Sequence, residues 1–311
     1  TPIGFVDDLD IATYEDLRNF FLRWYGPNNA TLTIGGDINE IETLEWIKKY
    51  FSPIPSGPEV TKPVYNQVTI DKNRYISLED KNARIPLIFM SWPTVHGNHP
   101  DEAPLDVLQD IIGGGETSLL YKNLQKPGIA IQSSAGHPCG EISCTFNIFA
   151  LANPQRNLNL NEIEINIRNS LEEFESRGVN ADDLIRVKSS IVAGMVYGLE
   201  SVSGKVTQLA AYETYRSDPN GITGDIKRYE SVTKKDVIRV YNEYIKNKPS
   251  VIMSIVPEGQ KDKVAGSDTW KRYTRNIPED MKSEEFNWSP PEDNFDRSVV
   301  PNAGPNPKVK T

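Results

Sequence analysis

The stretch DEAPLDVLQDIIGGGETSLLYKNLQKPGIAIQSSAG, residues 101–136, places a helical pattern, a glycine run and a strand-forming run next to one another. Apolar spacing predicts a helix over 101–112, and the glycines at 113–115 end it. A short helix is predicted over 118–125, closed by Pro127–Gly128, and a β-strand is predicted over 129–135. This order is typical of an αβ block, in which helices pack on a sheet.

The flanking sequence continues the alternation on both sides. β-Branched and aromatic residues predict strands over 64–78, 84–95, 141–152 and 251–256, and the pair 129–135 and 141–152 resembles a hairpin around 137–140. Helical spacing and capping residues predict helices over 160–174, 184–195, 202–215 and 233–244. Near the start we expect a helix over 13–24, a short strand over 30–34 and a helix over 40–51. The repeated strand and helix content indicates a diverged duplication.

The composition excludes several classes of protein. The 311 residues carry 34 Lys and Arg against 43 Asp and Glu, and the sequence has no long basic stretch, so nucleic acid is not an expected partner. No apolar run approaches the ~20 residues that cross a bilayer, so no transmembrane segment is expected. Proline-rich segments at 52–63 and beyond about residue 258 are expected to be a linker and an extended tail.

Histidine and cysteine side chains offer two candidate reactive groups. His96 and His99 are three residues apart, and His137 could join them around zinc, but no carboxylate lies between the pair as a general base. We therefore interpret them as loop histidines. Cys139 follows His137 by two residues and could be a thiol nucleophile, although a proline-containing turn is expected to keep the two side chains apart. Cys139 and Cys144 are interpreted as packing or turn residues.

The glycine run and the strand after it form a third candidate. The run at 113–118 lacks the lysine of a phosphate-binding loop, and it follows a helical pattern rather than a strand. Glycine also lets the backbone approach another segment closely, which suits an extended-peptide site. The strand 129–135 could offer an edge to such a peptide, but from the residues alone a strand buried in its own sheet is favoured. The residues alone therefore give an acidic αβ protein without a catalytic centre.

An ordered set of short motifs resembles the pitrilysin/insulinase family of inverted-motif zinc metallopeptidases, and the resemblance extends from about residue 13 to 257. The motifs are TYEDLR (13–18), WYGPNNATL (24–32), GDI (36–38), HPD (99–101), GGGETSLLY (113–121), PGIA (127–130), NADDL (180–184) with Lys188, SVT (231–233) and IVP (255–257). The resemblance implies an α+β fold, with an antiparallel-rich sheet covered by helices in a duplicated domain. It implies that 1–56 is the C-terminal part of a first peptidase-like domain, 57–258 a complete second, non-catalytic domain, and 259–311 a Pro-rich tail or linker to a further unit.

The resemblance also locates the metal outside this sequence. Family members hold zinc with H-x-x-E-H and a downstream Glu, and no histidine pair here has that spacing. Zinc is therefore expected in the full-length enzyme, bound upstream of Thr1, with no metal ligand or catalytic residue in this chain. The family's later-domain Arg and Tyr correspond here to Gln125 and Ile131, which fits a second domain of a four-domain enzyme.

The implied role is to close a peptide chamber and to anchor extended peptide substrate, with the chain by itself inactive. The resemblance favours a peptide-anchoring surface made of Gly113, Gly114, Gly115, Glu116, Gln132, Ser133, Ser134, Ala135 and Gly136. The expected partners are the peptide, the upstream zinc-binding domain and a downstream second unit. Periplasm or cell envelope is the location that the family implies. Two alternatives stay open: a catalytically inactive scaffold of the same fold, like core subunits of respiratory complexes, and a peptide-binding module unrelated to proteolysis.

Overall fold

The computed structural model describes residues 5–61, 68–270, 287–289 and 298–299. The chain divides into two compact units, one formed by 1–63 with 275–311 and the other by 64–274. Each unit is described by itself below. The division into 1–56, 57–258 and 259–311 stays a prediction.

The described part of the first unit contains three α-helices, α1 (Val6–Ile11), α2 (Tyr14–Trp24) and α3 (Glu40–Phe51). Helix α2 begins with a capping box, in which the Thr13 side chain accepts a hydrogen bond from the Asp16 amide and Asp16 accepts one from the Thr13 amide. The strand predicted over 30–34 is wrong, because these residues are irregular. A strand needs a neighbour for its ladder hydrogen bonds, and residues 5–61 contain no second strand.

The apolar faces of α2 and α3 are exposed to solvent. Phe20 and Phe21 of α2 are 52% and 55% exposed, and Ile41 of α3 is 76% exposed. Between residues 5 and 61, Thr43 is the single buried residue. Two amphipathic helices are therefore formed here without the apolar surface that such helices normally cover.

The second unit is built on a five-stranded sheet. Its strands are β1 (Arg74–Asp80), β2 (Leu87–Pro93), β3 (Ala130–Gly136), β4 (Thr145–Ala152) and β5 (Val251–Pro257). Their order is β1-β5-β2-β4-β3, with β1 and β5 parallel and the other three pairs antiparallel. The predicted α+β fold with an antiparallel-rich sheet covered by helices is confirmed.

Six helices accompany this sheet in the described part of the unit. They are α4 (Glu102–Gly113), α5 (Leu160–Arg177), α6 (Ala181–Gly198), α7 (Val202–Arg216), α8 (Ile222–Glu230) and α9 (Lys234–Tyr244). Strands β2, β4 and β5 bury every second residue, as Met90, Ile148 and Ile252 illustrate, each with no exposed surface. These side chains form one hydrophobic core with α4, α5 and α9. None of the described helices combines the length and apolarity needed to cross a membrane.

Several predicted boundaries differ from the observed ones. Strand β1 begins at Arg74, where its partner β5 begins at Val251, whereas the prediction began at 64. Residues 62–67 lie outside the described residues, and 68–73 form no strand. Helices α1 and α8 were not predicted, because each is short and α8 buries only Asp225 and Tyr229. The hairpin of β3 and β4 around 137–140 is confirmed.

Candidate functional site

The glycine run and strand β3 touch through their main chains. Gly113 is the last residue of α4 and is buried. A Cβ atom placed on Gly113 would lie 2.0 Å from the backbone nitrogen of Ala135 and 2.7 Å from the Ala135 Cβ. No side chain fits into that space, so glycine is required for the end of α4 to pack on β3. The fold therefore brings the two predicted segments together.

The residues after Gly113 form an open turn beside the strand. Gly115 and Glu116 are exposed, and Gly114 is half-buried. Gly115 has φ of 72°, a left-handed conformation that favours glycine, and nothing lies within 4 Å of its Cβ position. This turn leaves backbone accessible next to β3.

Strand β3 is an edge strand, since it pairs only with β4 among the described strands. Gln132 is exposed and Ser134, Ala135 and Gly136 are half-buried, whereas Ser133 is 5% exposed. A register shift between Ala130 and Gln132 marks a bulge near the start of the strand. An edge strand carries main-chain donors and acceptors that its own sheet does not use.

A side chain already uses one of these acceptors. A π-helical turn, Tyr121–Gln125, brings Gln125 to β3. The Gln125 Nε2 donates to the Ser133 carbonyl at 2.9 Å and to the Ser133 Oγ at 3.1 Å. This contact was not predicted from the sequence, where Gln125 was singled out only because it replaces an arginine of the family. This contact holds β3 against the π-helical turn.

Residues 12–191 match the protein family described as Peptidase M16 inactive domain. This chain belongs to that family. The resemblance seen in the sequence is thereby confirmed, because the related proteins carry names of zinc proteases.

Two relatives illustrate the likeness in sequence. The zinc protease PqqE of Helicobacter pylori is 26% identical over 260 residues, which are 83% of this chain and 58% of that protein. The probable zinc protease PqqL of Escherichia coli is 34% identical over 84 residues, or 27% of this chain and 9% of PqqL. This chain thus spans well under two thirds of the length of PqqE.

Solved structures show the same fold. A protease from Helicobacter pylori superposes with a TM-score of 0.74 at 26% identity, covering 83% of this chain and 62% of that one. A peptidase M16 inactive domain from Pseudomonas fluorescens superposes with a TM-score of 0.65 at 17% identity, covering 79% of this chain and 58% of that one.

The His137 side chain belongs to a network of hydrogen-bonded polar side chains and has no exposed surface. Its Nδ1 lies 2.7 Å from the Asp106 Oδ1, and its Nε2 lies 3.0 Å from the Thr94 Oγ1. The Tyr229 hydroxyl donates to the Asp106 Oδ2 at 2.5 Å. Burial, followed by the charge of Asp106, raises the pKa of the Tyr229 hydroxyl, so this donor stays protonated. Asp106 therefore orients the imidazole, and Tyr229 orients Asp106.

The two cysteines form a disulfide that closes the turn between β3 and β4. The prediction that the turn would separate Cys139 from His137 is wrong, because the Cys139 Sγ lies 3.7 Å from the His137 Nδ1. The two residues follow the end of β3, where an extended backbone places side chains two positions apart on the same side. As a disulfide, Cys139 is not the free thiol nucleophile that was considered, and its role as a turn residue is confirmed.

Among the residues that the structure describes, the candidate ligands do not fit a zinc centre in this state. His137, Cys139 and Cys144 offer ligand atoms within 4.8 Å of one another, the one group of three that the described residues contain. Both imidazole nitrogens are hydrogen-bonded, however, and disulfide sulfurs are not thiolate ligands. The rings of His96 and His99 pack edge to face with centroids 5.4 Å apart. Their Nδ1 atoms contact the Gly97 carbonyl and the Asp101 amide.

A cleft of about 590 Å³ adjoins the disulfide. Cys139 and Gly140 form part of its wall, and Tyr212, Arg216 and Asp225 form another part. Arg216 and the Tyr212 hydroxyl both donate to the Asp225 Oδ2, the guanidinium at 2.6 Å. Burial, with Asp225 as the next cause, raises the pKa of Tyr212 to about 12. Arg216 and Asp225 are thus paired with each other, and Cys139 is an exposed residue of the cleft wall.

Proposed function

We propose that this chain is the non-catalytic part of a zinc metalloendopeptidase, where it closes the peptide chamber and anchors extended peptide substrate. The observation that carries the proposal is the contact of Gly113 with Ala135, which sets an open glycine turn beside an edge strand of an inactive M16 domain. An extended peptide that adds to an edge strand gains main-chain hydrogen bonds, with little dependence on its sequence.

The anchoring surface consists of two parts. The turn contributes Gly113, Gly114, Gly115 and Glu116, and β3 contributes Gln132, Ser133, Ser134, Ala135 and Gly136. Gln125 already binds the Ser133 carbonyl, so a peptide would pair with the strand beyond that residue and pass the turn. The small side chains from 133 to 136 leave the strand approachable.

Proteolysis, in this proposal, depends on an upstream zinc domain, and the chain by itself is inactive. The names of the relatives as zinc proteases support zinc in the full-length protein, and the 58% coverage of PqqE supports a longer parent protein. The exposed apolar faces of α2 and α3 support the assignment of residues 1–56 to a first domain that is completed upstream. We assign residues 57–258 to the second domain and 259–311 to a linker that leads to a downstream unit.

We further propose the periplasm or cell envelope as the location. A solved structure of PqqL from Escherichia coli is described as a periplasmic protease. The disulfide between Cys139 and Cys144 supports an oxidising compartment, since disulfides are rare in reducing ones.

Calorimetry with unstructured synthetic peptides tests the anchoring surface. Gly114→Trp puts a bulky side chain into the glycine turn, where its Cβ would lie 2.5 Å from the Asp110 side chain. Once circular dichroism shows that the variant is folded, we expect peptide binding to be weakened by at least about tenfold. Leu78→Trp, at an exposed position on β1 at the opposite edge of the sheet, is the matched control and should bind as the wild type does. Equal binding by both variants and the wild type would contradict peptide anchoring at β3, and absent binding in all three would favour the inactive scaffold.

A peptide-turnover assay tests the proposed inactivity. The purified chain with added zinc should not cleave the same peptides. Robust cleavage that EDTA abolishes would overturn the assignment of this chain as non-catalytic, because the metal-dependent catalytic residues would then lie within it.

A further inference from the structure

We propose that the disulfide between Cys139 and Cys144 is a thiol-exchange site, opened by an external thiolate that attacks Cys139 and loosens the turn between β3 and β4. The two sulfurs differ sharply in access. Cys139 is an exposed residue and lines the cleft, whereas Cys144 is 2% exposed and belongs to the hydrophobic core. Thiol–disulfide exchange requires direct approach to a sulfur, so we expect attack at the more exposed cysteine, Cys139.

The Cys139 side chain lies against the imidazole of His137. Its Sγ lies 3.7 Å from the Nδ1 and 3.9 Å from the Nε2 of His137, so the sulfur faces the imidazole. The ring is fixed by Asp106 on one nitrogen and by Thr94 on the other. A protonated imidazole stabilises a neighbouring thiolate, so His137 in that form would assist the step in which the second thiolate releases Cys139, and not the first step, in which Cys144 leaves.

Complete reduction of the disulfide consumes two equivalents of an external thiol. The first thiolate forms a bond to the Cys139 sulfur, and the bond between the cysteine sulfurs breaks with its electron pair leaving on Cys144. A second thiolate attacks the external sulfur of the mixed disulfide and releases Cys139 as a thiolate, so the external thiol is oxidised to its disulfide and the two cysteines are reduced. The two protons lost by the thiols return, through solvent, to the cysteine sulfurs.

The backbone contacts indicate which part of the turn the disulfide holds. Cys144 is anchored independently, because its amide donates to the Val95 carbonyl at 2.6 Å and its carbonyl accepts from the Thr94 amide at 3.1 Å. On the other side of the turn, the Pro138 carbonyl accepts from the Thr145 amide at 3.2 Å and the Gly140 carbonyl accepts from the Gly97 amide at 2.9 Å. Within the turn, the Gly140 amide donates to the Ser143 carbonyl at 2.9 Å. The disulfide adds a covalent link to these hydrogen bonds, so reduction should loosen residues 138–143 while β4 stays in place.

A matched pair of variants tests whether Cys139 and Cys144 differ in reactivity. Cys144→Ser leaves Cys139 as the free thiol, and Cys139→Ser leaves Cys144. With oxidised glutathione as the probe and mass spectrometry as the readout, Cys139 should form the mixed disulfide at least about tenfold faster than Cys144. In urea the two rates should converge. Equal rates in the folded proteins, checked by circular dichroism, would overturn the proposal.

The role of His137 is tested in the Cys144→Ser background. Adding His137→Gln should slow the reaction of Cys139 several-fold at neutral pH, while Thr233→Ala, which is far from the turn in sequence and lies at the start of α9, should not. An unchanged rate of mixed-disulfide formation in the folded double variant would show that His137 does not affect the reaction of Cys139.

The wild-type chain provides the last test. With reduced glutathione, the mixed disulfide should appear on Cys139 and not on Cys144, and amide hydrogen exchange should accelerate at 138–143 but not in α5. A disulfide that opens only when the whole chain is unfolded would show that it is purely structural, and would refute exchange in the folded state.

Discussion

Helices α2 and α9 have the same design in sequence and different surroundings in space. Each has eleven residues, and each begins with a capping box formed by a threonine and an aspartate three positions on. Helix α9 buries Val237, Val240 and Tyr241, whereas α2 buries no residue. Local sequence therefore suffices to specify where a helix starts and which face is apolar. Whether that face contributes stability depends on a partner surface, which only the second unit supplies among the described residues.

The largest expected effect uses two matched aromatic pairs. Phe174 of α5 packs on Tyr241 of α9 with ring centroids 4.9 Å apart and is 1% exposed, while Phe21 of α2 packs on Tyr25 at 4.6 Å and is 55% exposed. Phe174→Ala should lower the free energy of unfolding by about 3–5 kcal/mol, because it leaves a cavity in the core. Phe21→Ala should change it by less than about 1 kcal/mol. Urea unfolding measures both free energies. Similar losses of stability in the two variants would contradict the expected difference between the buried and the exposed aromatic pair.

An intermediate effect is expected from the ion pairs of the two helices. Arg239 of α9 donates to the Asp101 Oδ1 at 2.6 Å, and this hydrogen bond lowers the pKa of Asp101 against the opposing effect of burial. A carboxyl with a lowered folded-state pKa stabilises at neutral pH, and that contribution is lost as the pH falls below about 4. Asp101→Asn should therefore cost about 1–3 kcal/mol at neutral pH and progressively less in acid.

The control for this pH dependence lies on α2. Glu15 and Arg18 pair within that helix at 3.5 Å, and both side chains are exposed. Glu15→Gln should change the free energy of unfolding by less than about 1 kcal/mol at every pH, because exposed pairs contribute little. If the cost of Asp101→Asn did not shrink in acid, its charge would not be the stabilising feature.

The smallest expected effect concerns the caps themselves. Thr233→Ala should lower the free energy of unfolding by about 1 kcal/mol, since the cap of α9 is coupled to the core. Thr13→Ala removes the same hydrogen bonds from α2, and its effect should appear as faster amide exchange over 14–24 without a shift in the global urea midpoint. A global shift from Thr13→Ala would show that α2 unfolds together with the core of the second unit.

Features set by near neighbours in sequence were predictable. Capping boxes, helical spacing and glycine stops predicted α2, α5 and α9, and runs of β-branched and aromatic residues predicted β2, β4 and β5. The strand at 30–34 was wrong because a strand is stable only with a partner, which short-range patterns do not reveal. The candidate site was also predictable only in part. The resemblance singled out the glycine run and β3, but the contacts of Gln125 with Ser133 and of Asp106 with His137 join segments whose proximity only the folded sheet determines.

The hydrogen bonds of Gln125 to Ser133 have a consequence for self-association. Exposed strand edges let copies of a protein join into continuous sheets, and natural proteins interrupt such edges. By occupying the Ser133 carbonyl, Gln125 shortens the run of main chain on which a second copy could grow an intermolecular ladder. One amide side chain thus makes β3 a poor template for aggregation, and Gln125→Ala should restore a longer uninterrupted edge.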